Sequence, residues 1–206
     1  MAAASGRLGA DVVARYLVSL RHLVGNTVPT LVHAERAAKA AGDVALASHF
    51  ALKRREEAGH DRWADHDIEV LAKQLGERFI GGPARAIRDL LADNLDAIDA
   101  EPRTYLAYML WAEYFTVLAG GPFAKYVVER CGIPSEAMTC LARHAELDAD
   151  HATEGMDVID RLVTDPGLLR PLRASMRRAM NHFDRFCDEL LEPCVTSHVY
   201  DLRVAV

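Results

Sequence analysis

Apolar residues recur along this chain at every third or fourth position, and strict alternation is nearly absent, so the pattern predicts helices and no sheet. From Ala10 to Ala41 one face carries Val13, Tyr16, Leu17, Leu20 and Leu23, with a kink expected at Gly25-Asn26-Thr27 ahead of Pro29. Gly42-Asp43 interrupts the period, and Asp43 is placed to cap a second helix running from Val44 to about Leu75. Beyond Gly76 and Gly81-Gly82-Pro83, a third helix runs from Pro83 to Asp99 with Ile87, Leu90, Leu91 and Leu95 turned inward. A fourth, Thr104 to about Leu118, is rich in large residues and is bent or ended by Ala119-Gly120-Gly121-Pro122. A short helix from Phe123 to Arg130 precedes a helix capped by Ser135 that continues to about Val163. After the Asp165-Pro166-Gly167 turn, a last helix spans Leu168 to Glu192. The expectation is a single all-α domain of about seven helices over residues 1–206, with its core at about 10–192 and an irregular tail from Pro193 to Val206.

Composition narrows the function classes. Half of the 206 residues are hydrophobic, enough for one substantial core. A net charge of −6 argues against a nucleic-acid partner, which would call for a basic face. Arg170, Arg173, Arg177 and Arg178 sit at helical spacing and read as a solvated face. Cys131, Cys140, Cys187 and Cys194 lack the CxxC spacing of a zinc or redox site and read as small buried hydrophobes of a reducing compartment. With no signal-like N-terminus and no long uncharged apolar run, the protein is expected to be soluble and cytoplasmic, without a membrane partner.

The stretch that stands out is Arg143-His144-Ala145-Glu146-Leu147-Asp148-Ala149-Asp150-His151. His144, Asp148 and His151 are spaced to share one helix face over two turns. Buried imidazoles and carboxylates cost free energy unless paired, yet the same groups are good ligands for iron or manganese. The bland alternative is a polar face shared with Glu146, Asp150 and Glu154. Glu57 and His60 form Glu-x-x-His, an i, i+3 unit found both on solvated faces and in bundle diiron sites. Glu113, isolated among Trp111, Ala112, Tyr114 and Phe115, is either a metal ligand or an acid hydrogen-bonded to a tyrosine.

The ordered set of Glu-x-x-His, a lone Glu and His-x3-Asp-x2-His on three helices resembles the haem-oxygenase-like diiron oxidases and oxygenases, a seven-helix superfamily. Glu-Glu-x-Gly-His-Asp-x-Trp at 56–63 and Glu-Leu-Asp-Ala-Asp-His at 146–151 look like the matching segments of its iron-containing redox enzymes. The resemblance spans roughly residues 10–190. It implies an O2-dependent non-haem enzyme whose two iron ions, or a manganese–iron pair, are held by Glu57, His60, Glu113, His144, Asp148 and His151. Glu56 competes with Glu57, and a seventh ligand from His22, His33 or Glu35 matches no clear position. Leu106, Met109, Leu110 and Cys140 would line a substrate pocket. Partners implied are dioxygen, an external reductant, a second copy of the chain, and an amino-acid-like or acyl metabolite of a specialised biosynthetic pathway.

Other readings share the fold. Tyr114 to Pro122 resembles the glycine-bearing distal helix of haem oxygenases, which would make His22 or His33 a proximal haem ligand in a haem-binding or haem-degrading protein. A cofactor-free oxidase or thiaminase-like hydrolase would use Cys140 as its nucleophile. A small-ligand-binding or iron-storage role needs no reaction at all. Arg143, Arg173 and Arg178 are candidates for holding a substrate carboxylate and equally for surface charges.

Overall fold

The computed structural model describes residues 8–76 and 81–192. Cys194 and the tail expected from Pro193 onward lie outside those residues. Among the described residues there are nine α-helices and no strand: α1 (Ala10–Gly25), α2 (Thr27–Ala40), α3 (Val44–Glu56), α4 (Asp61–Leu75), α5 (Arg85–Ala100), α6 (Thr104–Phe115), α7 (Gly121–Cys131), α8 (Thr139–Leu162) and α9 (Leu169–Leu191). The number exceeds the expected seven because each of the first two long helices is two. Asn26 separates α1 from α2, and the turn at 57–60, with Gly59 at φ +92°, separates α3 from α4. A glycine in that left-handed region lets the chain leave one helix and start another within four residues.

Several boundaries follow the chemistry read from the sequence. Asp43 caps α3, its Oδ1 accepting from the Leu46 amide at 3.0 Å. Ser135 does not cap α8: it opens a 3₁₀ turn (Ser135–Met138), and its hydroxyl faces Glu136. The acid that caps α8 comes from α4. The fully buried Asp67 accepts from the amides of Thr139 (3.1 Å) and Cys140 (2.8 Å) and from the Thr139 hydroxyl. Burial outweighs those hydrogen bonds and holds the Asp67 carboxyl above its ordinary pKa. The Gly120-Gly121-Pro122 segment does not end the helix; a π-helical turn (Thr116–Gly120) carries α6 straight into α7. Such turns frequently mark functional sites.

The helices pack around two apolar cores. The first joins α2, α3, α5, α6 and α9 through residues such as Leu31, Phe50, Leu90, Tyr105 and Phe186. The second joins α1, α4 and α7 to the start of α8 through Leu17, Leu71, Val127 and Leu141. On α5 the inward face is Ile87, Leu90, Asn94, Ala97 and Ile98, and Leu95 is exposed, one residue off that stripe. Arg170, Arg173, Arg177 and Arg178 are exposed, as a solvated face requires. Of the described cysteines, all unpaired, only Cys140 is fully buried; Cys131 is half-buried and Cys187 exposed. Among the described residues no helix is long and apolar enough to cross a membrane.

The two cores meet where polar residues are concentrated. Glu57–His60 connects α3, of the first core, to α4, of the second. On α8 the segment 144–151 lies between Leu141 of the second core and Val158 of the first.

Candidate metal centre

Glu57 and His60 reach the interior from the α3–α4 turn rather than from one helix face, which corrects the i, i+3 expectation. One ligand atom each from Glu57, His60 and His144 lie within 4.8 Å of one another. An ion about 2.1 Å from each needs donors about 3.0–3.4 Å apart, so a modest rotamer closure around a cation completes the triangle. His60 Nδ1 is 3.1 Å from Glu57 Oε2, and Trp63 stacks on the His60 ring at 4.2 Å between centroids. The same indole meets His144 edge-on, and the Arg143 guanidinium covers it at 5.0 Å.

His144 is already oriented. Its Nδ1 lies 2.8 Å from the Cys140 carbonyl oxygen, one turn earlier on α8. A carbonyl only accepts, so Nδ1 carries the hydrogen and Nε2 is the ring nitrogen left to face a metal. Burial pushes Glu57 upward, but the His60 hydrogen bond and the His60, His144 and His151 charges outweigh it and leave the carboxyl below its ordinary pKa.

Beside this triangle stand Glu113, Asp148 and His151. Glu57, Glu113, His144 and Asp148 line one cavity of about 120 Å³, walled also by Tyr105 and Tyr108. Asp148 is buried, and His151 Nδ1 lies 3.4 Å from its Oδ1, buried and without a properly oriented hydrogen bond. Burial raises Glu113 to about 7, against the opposing pull of Lys53. Gly155 makes room for it: a Cβ there would sit 3.3 Å from Leu110 Cδ1 and 3.4 Å from Glu113 Oε2.

Lys53 is the residue that sequence reasoning missed. Its Nζ is buried without a hydrogen-bond partner, 3.1 Å from Glu56 and 3.8 Å from both Glu113 and Glu154. Glu56 therefore faces Lys53, while Glu57 faces the histidines. A lysine among arginines and glutamates reads as solvated from sequence; only its place at i−4 to Glu57 hinted otherwise. Glu57, Glu113 and Asp148 bring three carboxylates to the interior, of which Lys53 faces Glu113, and the acids it does not face fit a site for added cations. An all-oxygen and nitrogen donor set suits iron or manganese.

The expected substrate pocket is corrected in part. Met109 lines the cavity. Leu106 is buried in the first core, and Leu110 is spent on the α6–α8 contact at Gly155. Cys140 is sealed behind His144, with Sγ 3.6 Å from Nδ1, and burial drives its thiol far above the ordinary range. A nucleophilic role has no activating base there, because His144 Nδ1 is committed to a carbonyl.

No family model matches the sequence, and no curated protein matches it. Among solved structures, the chain is similar to a domain of unknown function with a haem oxygenase-like fold from Shewanella denitrificans OS217. The TM-score is 0.79 at 20% identity, over 92% of this chain and 81% of that one. The chain has the haem-oxygenase-like fold.

Within this haem-oxygenase-like bundle, neither histidine proposed as a proximal haem ligand lines the cavity beside Glu57 and His144. His33 is bound through Nε2 to Asp99 at 2.7 Å, and His22 is absent from both cavity walls. Glu35 is held by Lys39 at 2.6 Å and by Arg54 at 3.4 Å, which removes it as a seventh ligand.

Proposed function

We propose that the protein is an O2-dependent non-haem diiron oxidase or oxygenase acting on a small organic metabolite, amino-acid-like or acyl, of a specialised biosynthetic pathway. The observation that carries this reading is the convergence of Glu57, His60 and His144 within 4.8 Å, beside a cavity that Glu113 and Asp148 also line. Glu57, His60 and His144 would hold one metal, and Glu113, Asp148 and His151 would serve the second, which is iron or manganese. Bound in this way, the metals supply activation of dioxygen for hydrogen removal or oxygen insertion.

The chain's own contribution is orientation and exclusion. The Cys140 carbonyl fixes the His144 tautomer, and Trp63 buttresses both His60 and His144. Tyr105 and Tyr108, stacked at 5.3 Å, close the cavity with phenols whose pKa burial raises, so they stay protonated donors at neutral pH.

Anaerobic loading with Fe(II), followed by metal analysis and then exposure to oxygen, tests the reading. Wild type is expected to retain up to two irons per chain and to consume oxygen. His144→Ala is expected to lose at least half of the iron and the oxygen consumption. A His144→Ala protein that holds two irons and consumes oxygen like wild type would overturn the ligand assignment.

A further inference from the structure

A second cavity of about 320 Å³ lies against the metal cavity, and no charged side chain lines it. Its walls are built mainly of Leu90, Trp111, Phe115, Phe123, Phe183 and Phe186. The two cavities share Leu20, Leu23, Ala112, Thr116 and Leu141, so they are neighbouring rooms divided by single side chains. Thr116 opens the π-helical turn, and its hydroxyl is spent on the Ala112 carbonyl at 2.9 Å, leaving its methyl for the partition. Gly120 ends that turn on the chamber wall, where a Cβ would meet Leu141 at 3.1 Å and Thr116 Cγ2 at 3.2 Å.

We infer that this chamber is the substrate-tail subsite, and that the substrate is a molecule with an extended hydrocarbon part and one small polar head. The inference rests on the diiron reading for the site of the head, and on the chamber alone for the tail. Packed interiors rarely leave voids of this size, and a cavity of about 150 Å³ with such walls already binds benzene, so this one takes a chain of roughly ten carbons. The smaller room leaves space for only a few non-hydrogen atoms beside Glu57 and His144.

The same walls favour such a molecule over a free amino acid. Among the described residues neither Arg nor Lys lines either room, and Arg143, Arg173 and Arg178 are exposed. The charged groups facing the smaller room are Glu57, Glu113, His144 and Asp148, all in the proposed metal set. A free amino acid has no extended hydrocarbon part to fill the chamber, and its ammonium would compete for the acids proposed to hold the metals. A hydrocarbon tail needs only what is there.

Calorimetric titration of the full-length, anaerobically Fe(II)-loaded protein with straight-chain carboxylates, from hexanoate to tetradecanoate, tests this. Each methylene entering the chamber is expected to raise affinity about three- to fourfold, levelling off near ten carbons. Ala119→Phe, which fills the chamber from the π-helical turn, is expected to weaken decanoate binding at least tenfold with iron content unchanged. Phe183→Ala, which enlarges the chamber, is expected to move the plateau to longer chains. Affinity independent of chain length, or variants that bind the series as wild type does, would overturn the assignment. The same titrations on iron-free protein separate the two claims. Chain-length dependence without iron binding supports the chamber and sinks the diiron reading, and iron binding without chain-length dependence does the reverse.

Discussion

Lys53 Nζ lies 3.8 Å from Glu113 Oε1 on side chains only 2% and 12% exposed, so an ammonium from α3 faces the acid that α6 brings to the interior. The same ammonium faces Glu56 and Glu154. Of these three acids only Glu113 belongs to the proposed metal set, and there the ammonium and an added cation would oppose each other.

Replacing Lys53 by Met should therefore act in opposite directions on two measurements. The metal-free protein should lose about 3 kcal/mol of stability in chemical denaturation, because the interior Glu113 is left without its cationic neighbour. The second equivalent of Fe(II) should bind more tightly in equilibrium titration, because the repelling charge is gone. Weaker binding of that equivalent would show that Lys53 supports the metals instead of standing in for one.

Gly155 sets how closely α8 approaches Glu113. A leucine there would push against Leu110 Cδ1 and the Glu113 carboxylate, both within 3.4 Å of the added Cβ. Gly155→Leu should cost about 1–3 kcal/mol, typical of an overpacked interior, and should lower iron retention. Metal analysis of the folded fraction checks the second effect independently of the first.

Asp67 holds the first turn of α8 from across the bundle, through two backbone amides and the Thr139 hydroxyl. Asp67→Ala should destabilise by about 2 kcal/mol or more, since a cap is lost inside the protein. Asp67→Asn keeps an acceptor and should recover much of that loss in the same denaturation measurement. His144 lies five residues beyond Thr139, so iron affinity should fall with the alanine variant and recover with asparagine.

His49, one turn before Lys53 on α3, is held near a pKa of about 4 by burial and secondarily by the Lys53 charge, against an ordinary 6.5. Between those values the unfolded chain binds a proton that the folded chain refuses. Stability therefore rises as pH increases from about 4 to 6.5, and is lost as pH falls through that window. For a half-buried ring the contribution is about 1–2 kcal/mol. Denaturation of wild type and His49→Gln across that range should show the difference, with the variant lacking this part of the slope.

The sequence alone determined the helical class, most helix boundaries and the residue types of the site, because these follow from short-range rules. Apolar spacing named much of the buried face of α1, Asp43 announced its own cap, and His144, Asp148 and His151 stood out because their chemistry is wasteful in a core. The sequence could not show that a helix stops at Glu56 and restarts at Asp61: the 3.6-residue period runs on across the turn, and Gly59 is the only local sign. It could not show that the lysine at 53 is buried, that the cap of α8 lies 72 positions away in Asp67, or that α1, α6 and α9 enclose an apolar chamber beside the acids. Those are matters of which helix lies against which. That choice is made by the packing of whole faces, to which no single stretch of chain holds the answer.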